Sequence, residues 1–213
     1  TTTFPVLTPR VHLIHHGLDL RQWPYSPPEP PQEPLQFLFV GRLVDKKSPQ
    51  TAVAWVKALD DAGITAQLTI AGDGPLRDQV PTIGIRNPAE IRELMNQAHF
   101  LLVPSRQTPD GDREGIPNVI LEAMASGLPV IATSSGSISE ILTPDTGFLL
   151  PDPSPASFVE LIRQLILPSS MQQLKRCCEQ ARWCIEEEFD LSCNIQEKIR
   201  IWNRLAATET KGT

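Results

Sequence analysis

Apolar and polar positions along this chain alternate between two periods. Apolar runs of strand length fall at LQFLFV (Leu35–Val40), AQLTIA (Ala66–Ala71), AHFLLV (98–103), LPVIA (128–132) and GFLL (147–150). Each is too short for a helix and is bounded by Gly, Pro, Ser or Asp, which predicts buried strands. Between them the apolar residues recur every three or four positions. This predicts helices over Pro49–Asp61, over Pro88–Gln97 with Ile91, Leu94 and Met95 on one face, after Pro117, and repeatedly from Pro155 onward. Strands alternating with helices imply an α/β fold, a parallel sheet flanked by helices. Loops after residues 40, 71, 103 and 132 then leave the carboxyl ends of strands and face one crevice. His99 is expected to be a core or edge histidine, and Trp183 and Trp202, at helical spacing, packing aromatics.

The chemistry concentrates between residues 104 and 140. A polar loop, 107–114, gives way at Gly115, Ile116 and Pro117 to an apolar helix, with Pro117 suited to its first turn and Gly127 to its C-cap. A strand and a small-residue turn, Thr133 to Gly136, follow. The first turn of that helix offers backbone N–H groups of Asn118 and Val119 to an anion. Glu114 stands just before the helix and Glu122 inside it, and carboxylates accept hydrogen bonds from sugar hydroxyls. Gly41, Arg42 and Lys47 follow the first strand, where open parallel sheets bind ligands; alone, so short a motif also reads as a solvated charged loop. A ligand with an anionic part and hydroxyl-bearing parts, such as a nucleotide sugar, fits this set.

Composition narrows the alternatives. A net charge of −6 and a pI near 5.2, with no basic run, argue against a nucleic-acid platform. No apolar stretch approaches the length of a membrane span, and the N-terminal TTTFPVLTPR lacks a signal-peptide pattern, so the chain reads as cytoplasmic. The 213 residues suit one generous domain. Cys177, Cys178, Cys184 and Cys193 form no C-x-x-C pair and read as thiols. A metal site at His15, His16 and Asp19 is disfavoured, because consecutive residues of a strand point to opposite sides. No metal is expected.

EGIPNVILEAMASGLPVIAT, with seven residues between Glu114 and Glu122, resembles the E-x7-E signature of retaining glycosyltransferases of the two-domain GT-B fold, family 4. The full form GDREGIPNVILEAMASGLPV, with its acidic-Gly loop before Glu114, resembles exopolysaccharide and colanic-acid-type transferases of bacteria. The resemblance implies the C-terminal, donor-binding half of such an enzyme, a Rossmann-like domain over 35–190. Residues 1–34 would be the interdomain connection and linker, with HHGLD in the place of the family's N-G-x-D segment. The helix over 191–213 would return toward an N-terminal acceptor-binding domain.

By the same resemblance Arg42 and Lys47 would bind the donor diphosphate with the N–H groups of Asn118 and Val119. Glu122 would hold the ribose and Glu114 the transferred sugar beside the backbone of Gly115, Ile116 and Pro117. Gly84, Ile85 and Arg86 would lie against the base, and Gly72 and Gly74 would shape a turn. The family places a helix before the next strand, yet here Arg77, Asp78 and Gln79 run almost at once into a strand-like VPTIG at 80–84. The implied donor is a UDP-sugar, UDP-glucose first, with UDP-galactose or a GDP-sugar behind; no other cofactor is implied. The implied acceptor is a glycan or a lipid-linked glycan, with the enzyme in the cytoplasm or at the inner face of the membrane. Two other readings stand: a non-catalytic nucleotide-sugar-binding or interaction module, and a glycoside hydrolase using Glu114 and Glu122, which leaves Arg42 and Lys47 idle.

Overall fold

A computed structural model describes residues 12–209. The TTTFPVLTPR segment, on which the signal-peptide expectation rests, and the end of the expected final helix at 210–213 lie outside the described residues.

Five parallel strands form one sheet: β1 (Leu35–Val40), β2 (Ala66–Ala71), β3 (Phe100–Val103), β4 (Val130–Thr133) and β5 (Phe148–Leu150), in the order β2-β1-β3-β4-β5. The helices are α1 (Pro49–Asp61), α2 (Pro88–Gln97), α3 (Asn118–Ser126), α4 (Ile138–Ile141), α5 (Pro155–Leu165), α6 (Met171–Glu188) and α7 (Leu191–Glu209). The α/β expectation is therefore met. The strands over 98–103, 128–132 and 147–150 begin one or two residues later than the apolar pattern implies, because ladder hydrogen bonds and not hydrophobicity set their ends.

Both sheet faces are covered, and the alternation along each strand divides the core in two. Leu35, Phe37 and Phe39 of β1, Phe100 and Leu102 of β3 and Ile131 of β4 face α1 and α5, where Trp55 stacks on Phe158 at 4.8 Å between ring centroids. Leu38, Leu101, Val103, Val130 and Ala132 face α2, α3 and the Ala181–Ile185 side of α6. Strands buried on both sides explain the unbroken apolar runs.

Three local features depart from expectation. VPTIG at 80–84 forms no strand: a single 3-10 turn, Arg77–Gln79, is followed by extended chain whose Ile83 N–H donates to Ile70 O, and Gly72 N–H donates to Gly84 O at 2.9 Å. Trp183 is 56% exposed because the buried residues of α6, Leu174, Cys177, Cys178, Ala181 and Ile185, occupy the opposite side of the helix. Trp202 is 74% exposed and continues a stripe with Ile195 and Ile199 along α7, so neither tryptophan packs in the core.

His99 is the edge residue expected. Its Nδ1 accepts from Gln36 N–H at 2.9 Å, and burial pushes its pKa down.

Candidate functional site

Strand order reverses between β1 and β3, so the loops that leave their carboxyl ends diverge and open a crevice there. Arg42 and Lys47 lie on the first of these loops, Glu114 on the second and Glu122 on the helix it leads into, whereas Arg86 lies on the segment between β2 and α2. The β1 loop turns on Gly41, whose N–H donates to Ala71 O at 3.0 Å. Gly72 fits against it so closely that a Cβ there would lie 1.9 Å from Gly41 O, and a Cβ on Gly74 would lie 2.6 Å from Leu43 O. Those glycines shape the turn.

The two loops are stitched by charge. Lys46 Nζ lies 3.1 Å from an Asp112 carboxylate oxygen, Lys47 Nζ 2.9 Å from Glu114 Oε2, and Arg106 Nη2 3.4 Å from Asp45 Oδ2. Arg106 N–H also donates to Lys46 O at 2.8 Å. The hydrogen bond from Lys46 to Asp112 holds the Lys46 ammonium above its usual pKa, against desolvation and the like charge of Arg42. The Lys46 and Arg106 pairs are largely exposed and contribute little alone. The Lys47–Glu114 pair is different: its side chains are 17% and 8% exposed, and Glu114 Oε1 is buried with no hydrogen-bond partner among the described residues.

Glu114 is held from behind. Its carbonyl accepts from Ser137 N–H at 3.1 Å, and Gly136, at φ 59°, packs so tightly that a Cβ would lie 1.8 Å from that oxygen. The small-residue turn after β4 thus packs directly against the backbone of Glu114. Gly115 and Ile116 then lead into Pro117, which precedes α3 at φ −67° and ψ 131° instead of entering its first turn. Proline brings no side-chain cap, so the first N–H groups of α3, on Asn118 and Val119, receive none from the residue before them. Gly127 ends α3 in the left-handed conformation, as expected.

Glu122 lies one turn beyond Asn118 on the same side of α3. It is half-buried, and burial pushes its pKa up. Arg42, Ile85 and Arg86 come together away from the ion pair, where with Val40, Gly41, Gly72 and Ile91 they line a cavity of about 340 Å³. Ile85 is 74% exposed, a bare apolar surface beside two guanidinium groups. Gly41 links the two regions: the Lys47 side chain passes 3.9 Å from the position of a Cβ on it.

The residue set aside on the sequence is His16. Its Nε2 lies 2.8 Å from Asn118 Oδ1, at the start of α3. The argument that neighbouring histidines diverge fails because the chain at 15–16 is not a strand: the rings of both His15 and His16 approach Phe189, at 4.6 and 6.3 Å. The N-G-x-D-like segment that holds His16 reads in the sequence only as part of the interdomain connection, and nothing there points toward this contact.

Comparison with known proteins identifies the family and the fold. A family model described as glycosyl transferases group 1 matches residues 34–167. The chain belongs to this family. It is 31% identical over 157 residues to the Escherichia coli K12 protein named as colanic acid biosynthesis glycosyltransferase WcaL, covering 67% of this chain and 39% of that one. It is 28% identical over 211 residues to the amylovoran biosynthesis glycosyltransferase AmsK of Erwinia amylovora, covering 92% of this chain and 51% of that one. The chain thus spans about half or less of the length of these relatives. Its fold is that of Anabaena Alr3699/HepE, whose crystal structure was solved in complex with UDP-glucose: the TM-score is 0.71 at 19% identity, over 91% of this chain and 57% of that one.

Proposed function

We propose that this chain is the donor-binding half of a retaining glycosyltransferase, which takes a UDP-sugar, UDP-glucose by preference, and serves transfer to a glycan or lipid-linked acceptor in polysaccharide biosynthesis. The observation that carries the reading is the Lys47–Glu114 pair at the switch point, beside a helix start without a side-chain cap. Membership of glycosyl transferases group 1 supports it and disfavours the hydrolase reading. The relatives named for exopolysaccharide biosynthesis and the neighbour solved with UDP-glucose support the choice of pathway class and donor.

In this reading the diphosphate lies over the N–H groups of Asn118 and Val119, with Arg42 and Lys47 beside it. Ile85, Arg86 and the backbone at Gly84 face the base, and Glu122 accepts from the ribose. Glu114 Oε1, buried and unpartnered among the described residues, accepts from a hydroxyl of the transferred sugar next to Gly115, Ile116 and Pro117. As the anomeric C–O bond breaks, negative charge grows on the diphosphate while the sugar becomes oxocarbenium-like. Fixed cations and helix N–H groups then interact more strongly with the transition state than with the ground state. Each charge-assisted hydrogen bond is worth about 1.5–3 kcal/mol. The exposed α7 stripe of Ile195, Ile199 and Trp202 is where we place an N-terminal acceptor-binding domain. Among the described residues no helix is long and apolar enough to cross a membrane. We place the enzyme in the cytoplasm or at the inner face of the membrane.

Isothermal titration with UDP, GDP and UDP-glucose tests the reading. UDP and UDP-glucose are expected to bind, GDP more weakly, and Arg42→Ala and Lys47→Ala to weaken both. Equal affinity in those variants and the parent would overturn the assignment of the cations.

A further inference from the structure

His16 approaches the proposed diphosphate site from a distant part of the chain, and its chemistry there is one-directional. Asn118 Oδ1 is an acceptor only, so the His16 nitrogen 2.8 Å from it carries the proton. Neutral imidazole protonated at Nε2 and imidazolium both supply that donor, so the contact does not depend on the charge of the ring. A carboxamide has one accepting oxygen and one donating NH2 group. With the oxygen engaged by His16, Asn118 has its NH2 to offer at the start of α3.

We propose that His16 is a positioning residue of the donor site: it turns the Asn118 carboxamide so that its NH2 joins the first backbone N–H groups of α3 as an additional donor to a nucleoside diphosphate. This rests on the donor-site reading above. Released from His16, the carboxamide is free to rotate and set its carbonyl against the anion.

The contact is built into the fold. On one side of His16, His15 O accepts from Asn194 Nδ2 at 3.2 Å. On the other, Leu18 N–H donates to Phe189 O at 2.7 Å and Leu191 N–H to Leu18 O at 3.1 Å, so the strap is fixed at the junction of α6 and α7. Gly17 between them admits no side chain, since a Cβ would lie 2.2 Å from Leu191 Cα. The His16 ring stands edge-on to the buried Phe189, at 74° and 6.3 Å. Glu114 Oε1, buried without a partner among the described residues four positions before Asn118, independently marks this end of α3 as a place where a ligand is expected.

The test is a double-mutant cycle on UDP affinity with a rescue arm. His16→Ala is expected to weaken UDP about tenfold, the size of one lost hydrogen bond to the ligand. His16→Gln, whose amide also donates, is expected to stay within about threefold of the parent. In an Asn118→Ala background His16→Ala is expected to cost nothing further, because the two act as one unit. Thermal unfolding midpoints of the three single variants are expected to coincide, which separates positioning from folding. Unchanged UDP affinity in His16→Ala, failure of glutamine to rescue, or an undiminished cost in the Asn118→Ala background would overturn the proposal. A parent chain that binds no nucleoside diphosphate would overturn the donor-site reading itself. Imidazole ¹⁵N shifts of the unliganded parent above pH 8 are expected to show Nε2 protonated; an Nδ1–H tautomer contradicts the proposal whatever the variants do.

Discussion

Lys47 Nζ and Glu114 Oε2 lie 2.9 Å apart across 67 residues of sequence, joining the loops that follow β1 and β3 at the point where the sheet order reverses. The pair is mostly buried, so each charge depends on the other. Lys47→Met or Glu114→Gln alone is expected to lower unfolding free energy by about 3 kcal/mol, since each strands a buried partner. The double variant is expected to recover part of that loss. Urea denaturation measures all three; additive losses would contradict a coupled pair.

Gly136 and Gly111 both have positive φ, 59° and 84°, but only Gly136 abuts Glu114 O; around Gly111 a Cβ meets nothing within 4 Å. Alanine at either position carries the same kind of backbone strain, above about 1 kcal/mol. Gly136→Ala is expected to cost more stability than Gly111→Ala and, by displacing Glu114, to weaken UDP-glucose as well. Equal effects would mean that Glu114 is not held by the turn after β4.

Glu122 predicts a pH signature. Burial raises its pKa in the folded chain, so the native state binds the proton more tightly than the unfolded state does. Stability from this group is present at low pH and lost as pH rises from the ordinary carboxylate range through the raised value. Glu122→Gln removes that dependence. It is therefore expected to gain stability relative to the parent as pH increases, levelling off above the raised pKa, while its affinity for UDP falls. Denaturation midpoints between pH 4 and pH 8 check the first effect and titration the second; a stability difference that does not vary with pH would contradict the account.

Much of this was legible in the residues because local rules and tertiary structure agree. β1, β2, α1 and α2 lie where apolar period and Gly or Pro boundaries put them, and Gly127 takes the left-handed cap that its place after an apolar helix implies. The spacing from Glu114 to Glu122 marked the helix that organises the crevice. Long-range partnership was not legible. Nothing local ties Lys47 to Glu114 in preference to Asp112, and His16 meets Asn118 only because the strap at 15–18 is fixed to the α6–α7 junction. Pro117 fits a first turn by its φ, but its ψ of 131° keeps it outside the helix. Trp183 and Trp202 obey helical spacing yet face outward, because spacing tells which residues share a face and not whether that face is covered.

The cysteines separate by depth. Cys177 and Cys178 are buried in α6, and burial pushes the Cys177 thiol up to about 11 and Cys178 higher still; Cys193 is exposed on α7. A thiol-reactive dye at neutral pH is expected to label Cys193 first and the buried pair only on unfolding. Early labelling at Cys177 or Cys178 would mean that α6 opens readily from α3.

The most direct test of the donor site is a map of backbone amide shifts as UDP is added to the ¹⁵N-labelled chain. The account predicts the largest changes at the Asn118 and Val119 amides, with further changes at Gly41, Lys47 and 84–86. Shifts confined to other surfaces, or none at saturating UDP, would contradict it.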